Sequence, residues 1–184
     1  MSKHLLARPL TKAEFAPFGE VIEKTGAESF LINNGNCRRH HALATADIIG
    51  DSGSEDGGGG GEDGDGDGDG DGDGRVGISI FSGQPYDLPL QLSLVERHPL
   101  GSQAFYPLGD RNWLVMVCSD HNGTPIDPQV FLASPDQGIN LKRGIWHGVL
   151  TPLEVASDFL VVDRVGEGNN LQEFVFSDPF VVTA

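Results

Sequence analysis

Short apolar stretches, each bounded by Gly, Pro or Asn, recur along the chain at strand length. Gln91 to Arg97 sets Leu92 and Leu94 on one face and Ser93 and Val95 on the other, the period of two that marks a strand. Further strands are expected over 3–10, Glu20–Glu23, from Phe30 to Ile32, Val76–Phe81, Ala104–Pro107, Trp113–Cys118, Val130–Ala133, Ile145–Leu150 and Asp158–Asp163. The closing Gln172–Phe180 stretch, with Phe174, Phe176 and Phe180 available for packing, reads as a strand or a tail. One helix signal stands out. Thr11-Lys-Ala-Glu14 is a capping-box pattern and predicts a short helix over 12–17, ended by Pro17-Phe18-Gly19. Roughly ten short strands with few helices predict an all-β barrel or sandwich. Asn34-Gly35 is a strong turn signal, since both residues tolerate positive φ. Arg39 and His41, two apart beyond that turn, would share one strand face, with His40 on the other.

One segment interrupts this pattern. Residues 51–74 consist of twelve Gly, eight Asp, two Glu and two Ser. Such a stretch has no apolar surface to bury and repels itself, so a disordered insert is expected at 51–74 of a single domain spanning 1–184. A calcium loop does not fit: counted from Asp63 or Asp65, the twelfth position is Gly74 or Val76 instead of the required Glu. The insert holds ten of the 27 acidic residues and no basic one, so the net charge of −15 falls to −5 outside it. No basic stripe exists to neutralise phosphates, which excludes a nucleic-acid partner. No apolar run approaches membrane-spanning length, so no membrane partner is expected, and a soluble cytoplasmic protein is the default. Cys37 and Cys118 form no CxxC pair; one disulfide between them is conceivable, a thiolate zinc site is not.

The chemistry-bearing residues gather in two blocks. Gly138 to His147 reads Gly-Ile-Asn-Leu-Lys-Arg-Gly-Ile-Trp-His, with an amide at Asn140, a cationic Lys142–Arg143 pair, a turn glycine at Gly144 and the Trp146–His147 pair. Glycine lets the backbone approach a ligand closely, and Arg supplies a forked donor to an anion. His147 is suited to general acid–base work or metal ligation. The same ten residues also read as a hairpin turn with a packed Trp and a surface His. The second block, Glu96-Arg97-His98, lies on an expected neighbouring strand and favours the functional reading.

Taken in order, Phe30-x-Ile-Asn-Asn-Gly, Arg39-x-His41, Ile78-Ser-Ile, Glu96-Arg-His-Pro-Leu-Gly-Ser-Gln-Ala-Phe, Gly138-x-Asn-x-x-Arg-x-x-Trp-His and Asp158-Phe-Leu…Asp163-Arg164 resemble the ureidoglycolate lyases, formerly called ureidoglycolate hydrolases. The resemblance covers nearly the whole chain apart from the insert. It implies a cupin-like β-barrel of the jelly-roll type, a homodimer, and cleavage of (S)-ureidoglycolate into glyoxylate and urea in allantoin breakdown. Against the general cupin pattern, a Glu stands where one His is usual and Gln103 where the carboxylate is usual. His98, His147 and Glu96 are therefore the expected catalytic residues and also the expected ligands of one divalent metal, nickel by resemblance; a metal-free site is the other reading. Cleavage requires removal of a hydroxyl proton and protonation of the departing nitrogen. His147 or His98 is expected to take the proton, with Glu96 as partner. Arg143 and Arg39 are expected to hold the substrate carboxylate, Asn140 and Asn33 the ureido group, and Trp146 to wall the pocket. Two alternatives remain at this level: a hydrolase releasing ammonia from the same substrate, and a non-catalytic cupin that binds a small carboxylate.

Overall fold

The computed structural model describes residues 3–50 and 74–184. Apart from Gly74, the insert expected to be disordered lies outside the described residues. The chain begins with β1 (Lys3–Leu6), β2 (Arg8–Pro9), helix α1 (Lys12–Phe15) and β3 (Gly19–Ile22). A hairpin of β4 (Ser29–Ile32) and β5 (Cys37–His40) follows. Then come β6 (Arg75–Gly83), β7 (Leu90–Arg97), β8 (Gln103–Pro107), β9 (Trp113–His121) and β10 (Thr124–Ala133). The last strands are β11 (Gly138–Leu141), β12 (Trp146–His147), β13 (Thr151–Pro152), β14 (Ser157–Val165) and β15 (Gln172–Thr183).

Two large sheets hold nearly all of these strands. The eight-stranded sheet runs β1-β15-β7-β12-β9-β10-β2, with β13 beside β9. β10 also touches β1 and β15, so this sheet curls nearly into a closed barrel. The five-stranded sheet runs β3-β11-β8-β14-β6 and packs over one flank of the first. β4 and β5 stand apart as a two-stranded ribbon.

The position of β9 explains its unbroken apolar run. Trp113, Val115 and Val117 enter the core between the two sheets, with Phe105, Phe131, Ile139, Phe159 and Val161. Leu114, Met116 and Cys118 enter the second core, inside the curl of the large sheet, with Leu92, Val95, Trp146 and Val182. A strand buried on both faces reads as a continuous apolar stretch. Phe131 and Phe159 are fully buried, each worth roughly 1.5–3 kcal/mol of transfer free energy. α1 is shorter than the predicted 12–17. Its Thr11 cap accepts from the Glu14 N–H at 3.3 Å, and the chain turns away after Phe15, which drives its ring against Phe131 at 5.8 Å.

Four other expectations change. The 3–10 strand divides at Ala7 into β1, parallel to β15, and β2, parallel to β10. The single strand expected over Ile145–Leu150 is only β12, followed after Gly148 by β13. A Cβ at Gly148 would lie 2.8 Å from the Met116 methyl, so the backbone presses onto β9 there. β5 ends at His40, which leaves His41 beyond the strand with its N–H bonded to Glu28 O. The last strand reaches Thr183, because a register shift between Val175 and Phe180 absorbs Pro179 as a bulge. Both Cys37 and Cys118 are free. Among the described residues no helix is long and apolar enough to cross a membrane.

Candidate active site

The large sheet brings the two sequence blocks together. His147 on β12 sits directly opposite Glu96 on β7 and Val117 on β9. Val117 belongs to the core between the sheets, and His147 faces that side. Neighbouring residues of a strand point to opposite faces, so Trp146 and Arg97 look the other way. Trp146 is buried in the second core, donates its indole N–H to Asp120 at 2.8 Å, and carries the Arg97 guanidinium 4.4 Å above its ring. Arg97 also pairs with Asp120 at 2.9 Å.

His98, at the end of β7, completes a trio. The ligand atoms of Glu96, His98 and His147 all lie within 4.8 Å of one another. The two imidazole centroids are 5.3 Å apart, and Glu96 Oε1 is 3.9 Å from His98 Nε2. His98 Nδ1 is 2.7 Å from the carbonyl of Asn170, and His147 Nδ1 is 3.1 Å from the carbonyl of Gly148. A carbonyl oxygen only accepts, so Nδ1 of each ring carries the hydrogen. That leaves Nε2 of each ring to other partners, and among the described residues both Nε2 atoms are buried without a hydrogen-bond partner. Buried polar groups are nearly always satisfied, so two orphaned acceptors beside one carboxylate mark a place for a donor or a cation.

The electrostatics agree. Burial, with a smaller push from His98, holds the His147 pKa well below the ordinary imidazole value, at about 4, although the Gly148 carbonyl opposes this. His147 is therefore neutral at pH 7. Burial raises the Glu96 carboxyl above its usual range; His98 lowers it and Glu173 raises it further. Two imidazoles and one carboxylate form a donor set suited to a divalent first-row metal, with Nδ1–H bonds to carbonyls as the outer support such ligands carry. The trio thus fits a metal. Beside His147, Phe105, Val115, Ile139 and Leu141 enclose a cavity of about 20 Å³, room for a single water.

The Lys142-Arg143-Gly144 turn abuts the trio. The Gly144 N–H donates to His98 O at 2.9 Å, a geometry reached at φ +72°, which favours glycine. Arg143 at this turn gives its Nε–H to Asp47 at 2.7 Å, and among the described residues both its terminal nitrogens are unengaged. Asp47 is fixed in turn, since its N–H donates to the Ser102 hydroxyl and its carbonyl accepts from the Ser102 N–H. Asn140 projects from the opposite face of β11 to Ile139 and Leu141, where its amide donates to Glu20 and to Thr45 O. Arg39 lies on the hairpin against Phe30, and Asn33, at φ 52°, forms the hairpin turn with Asn34 and Gly35. Among the described residues, no hydrogen bond, ion pair or ring contact joins Arg39 or Asn33 to the trio.

Sequence reasoning passed over Asp47, Ser102 and Asn170. Asn170 holds the His98 ring through its carbonyl and Leu100 N–H through its side chain. It sits in a Gly-Glu-Gly-Asn-Asn turn, and nothing in that pattern distinguishes it from an ordinary loop residue.

The profile of the ureidoglycolate lyase family matches residues 2–183. The chain belongs to that family. Among its relatives, a ureidoglycolate lyase of Chelativorans sp. is 49% identical over 180 residues, covering 98% of this chain and 96% of its own. Those of Mesorhizobium japonicum and Agrobacterium fabrum are 47% and 44% identical over 178 and 182 residues, covering 97% and 99% of this chain and 96% and 97% of theirs. The all-β, nearly closed barrel agrees with the cupin fold expected of this ureidoglycolate lyase family member.

Proposed function

We propose that this protein splits (S)-ureidoglycolate into glyoxylate and urea in the cytoplasm, as a step of purine-derived allantoin breakdown. The observation that carries this reading is the convergence of two orphaned Nε2 lone pairs and one carboxylate in a member of the ureidoglycolate lyase family. The substrate carbon bears a hydroxyl, a carboxylate and a ureido nitrogen. His147 Nε2, neutral at pH 7, accepts the hydroxyl proton as the oxygen–carbon bond becomes a carbonyl. The carbon–nitrogen bond breaks with its electron pair passing to nitrogen. Glu96, whose carboxyl burial makes it hold a proton more firmly, delivers the proton that nitrogen needs. Such proton transfers contribute about 10²–10⁴-fold in rate. His98 orients Glu96. The free terminal nitrogens of Arg143 bind the substrate carboxylate as charge-assisted donors. Asn140 and Trp146 act by fixing the strands that carry Ile139 and His147. Arg39 and Asn33 belong to the hairpin and take no part in the chemistry of their own chain.

Alternatively, Glu96, His98 and His147 would hold a divalent ion, nickel being the expected one, through the same atoms that move protons in the metal-free site. When bound, such an ion supplies Lewis-acid polarisation of a substrate oxygen. The protein works as a homodimer, and the small-molecule substrate is its remaining partner. The test is incubation of metal-stripped and nickel-supplemented protein with (S)-ureidoglycolate, with glyoxylate, urea and ammonia measured together. Glyoxylate with urea is expected. Glyoxylate with ammonia would make the protein a hydrolase, and absence of turnover with glyoxylate still bound would leave a carboxylate-binding cupin.

A further inference from the structure

One part of the substrate is still without a receiver. The trio serves the hydroxyl and the departing nitrogen, and Arg143 the carboxylate. Asn140, the amide expected to hold the ureido group, faces away from the core between the sheets and is engaged with Glu20 and Thr45 O. Another carboxamide faces inward. Gln103 opens β8, two residues before Phe105 and on the same side of the strand, and Phe105 belongs to that core.

The pairing of strands brings Gln103 over the trio. Its ladder partner on β11 is Leu141, just as Glu96 and His147 are ladder partners in the other sheet. Two short connections at one end join these pairs. Residues 99–102 run between His98 and Gln103, and residues 142–145 between Leu141 and Trp146. The Gln103–Leu141 row therefore lies across from the Glu96–His147 row, and Leu141 and His147 line one cavity.

Gln103 is only 6% exposed. Its Nε2 donates to Asp163 Oδ2 at 3.4 Å. Asp163 stands two residues beyond Val161 on β14, on the same inward side. A carboxylate accepts and an amide nitrogen donates, so Asp163 sets which way the carboxamide is turned. Oε1 is left on the side away from Asp163. It is buried, and among the described residues it has no hydrogen-bond partner. A buried acceptor left in this state is costly and marks where a donor arrives. The substrate hydroxyl gives its proton to His147, so the donors that remain on the substrate are the ureido N–H groups. Imidazole suits nickel and its neighbours, whereas an amide oxygen suits harder ions; a substrate N–H is the better-matched occupant.

We infer that Gln103 Oε1 accepts a hydrogen bond from the terminal ureido amino group and so selects ureido substrates over other acylated hemiaminals, with Asp163 as the residue that positions it. This assignment rests on the lyase reading of the site.

The probe is the N-acetyl analogue of (S)-ureidoglycolate. A methyl group replaces the terminal amino group, while the hydroxyl, the carboxylate and the scissile carbon–nitrogen bond are kept. Its cleavage gives glyoxylate and acetamide. Glyoxylate release from both compounds is measured for full-length wild type, Gln103→Leu and Asp163→Asn, with the inhibition constant of the analogue alongside. Wild type is expected to favour ureidoglycolate in kcat/KM by roughly 10- to 100-fold. Gln103→Leu should lose that factor on ureidoglycolate and leave the analogue's turnover and inhibition constant unchanged. Asp163→Asn, which lets the amide turn either way, should lose part of the preference and also leave the analogue unaffected. Unchanged circular dichroism shows that each variant folds; should Gln103→Leu fail to fold, Gln103→Met replaces it. A wild type without the preference, or a preference that survives in Gln103→Leu, would overturn the assignment. Equal losses on both compounds would overturn it as well, and weaker nickel binding in the same variant would make Gln103 a metal ligand instead. A full preference in Asp163→Asn would remove Asp163 from the positioning role. No glyoxylate from ureidoglycolate with wild type would overturn the lyase reading, and this assignment with it.

Discussion

The buried neutral His147 makes a quantitative prediction about stability and pH. Its pKa is near 4 in the folded protein, against about 6.5 in the unfolded chain. Below pH 6.5 the unfolded state takes up a proton that the folded state refuses. Unfolding is therefore favoured as pH falls from 6.5 towards 4, and the full stability is present above 6.5. Between pH 7.5 and pH 5 this one residue costs about 2 kcal/mol. At the usual urea dependence for small proteins, that is a midpoint lower by roughly 1 M. The experiment is urea unfolding of chelator-treated wild type and His147→Gln at both pH values. Gln keeps a polar side chain of similar reach and does not titrate. Both proteins carry the background from the remaining groups, including Glu96, whose raised pKa works in the opposite sense. The difference between their midpoint shifts isolates His147. Identical shifts in the two proteins would refute the claim that His147 is held neutral, and with it the base assigned to the reaction.

Glu96→Gln keeps the shape of the acid and removes its proton transfer, so kcat should fall about 10²–10⁴-fold. The thermal midpoint should hold, since Gln keeps the volume and a polar end at that place; a steady-state assay beside calorimetry reads both. Arg143→Ala removes charge-assisted bonds to the substrate carboxylate, and KM should rise roughly tenfold to hundredfold. If KM stays put while kcat falls, Arg143 does not bind the ground state. Gly74 presses so close to Ile49 that a Cβ there would lie 2.4 Å from its carbonyl oxygen, so the described residues on either side of 51–73 lie side by side. Replacing 51–73 with a short Gly/Ser linker should leave turnover within about twofold, because no group assigned to the chemistry comes from that segment. A larger loss would assign the segment a part in the site.

Most of the fold was legible because strands announce themselves by period and by their turns. What escaped was local. The 113–118 run reads as a strand, but the reason for its double-sided apolarity, one core on each face, appears only when the large sheet curls. The closing Gln172–Phe180 stretch reads as a strand or a tail, and a bulge at Pro179 carries β15 on to Thr183. The short β12 was misjudged because the approach of Gly148 to Met116, not any break in hydrophobicity, interrupts the strand.

The site divides along the same line. Glu96 and His98 are two apart and share a face by strand geometry alone. His147 joins them because β12 lies between β7 and β9, a placement that depends on long-range pairing. The adjacency of Trp146 to His147 suggested a shared pocket, yet the period of two sends the indole into the opposite core. The groups that set the chemistry of the imidazoles leave no trace in the sequence. They are the backbone carbonyls of Asn170 and Gly148, and every residue has a carbonyl. Sequence could therefore nominate the three side chains of the candidate site, but not which nitrogen of each ring would be left open. That choice is made by the backbone around them, and it is what turns two histidines and a glutamate into a directed site.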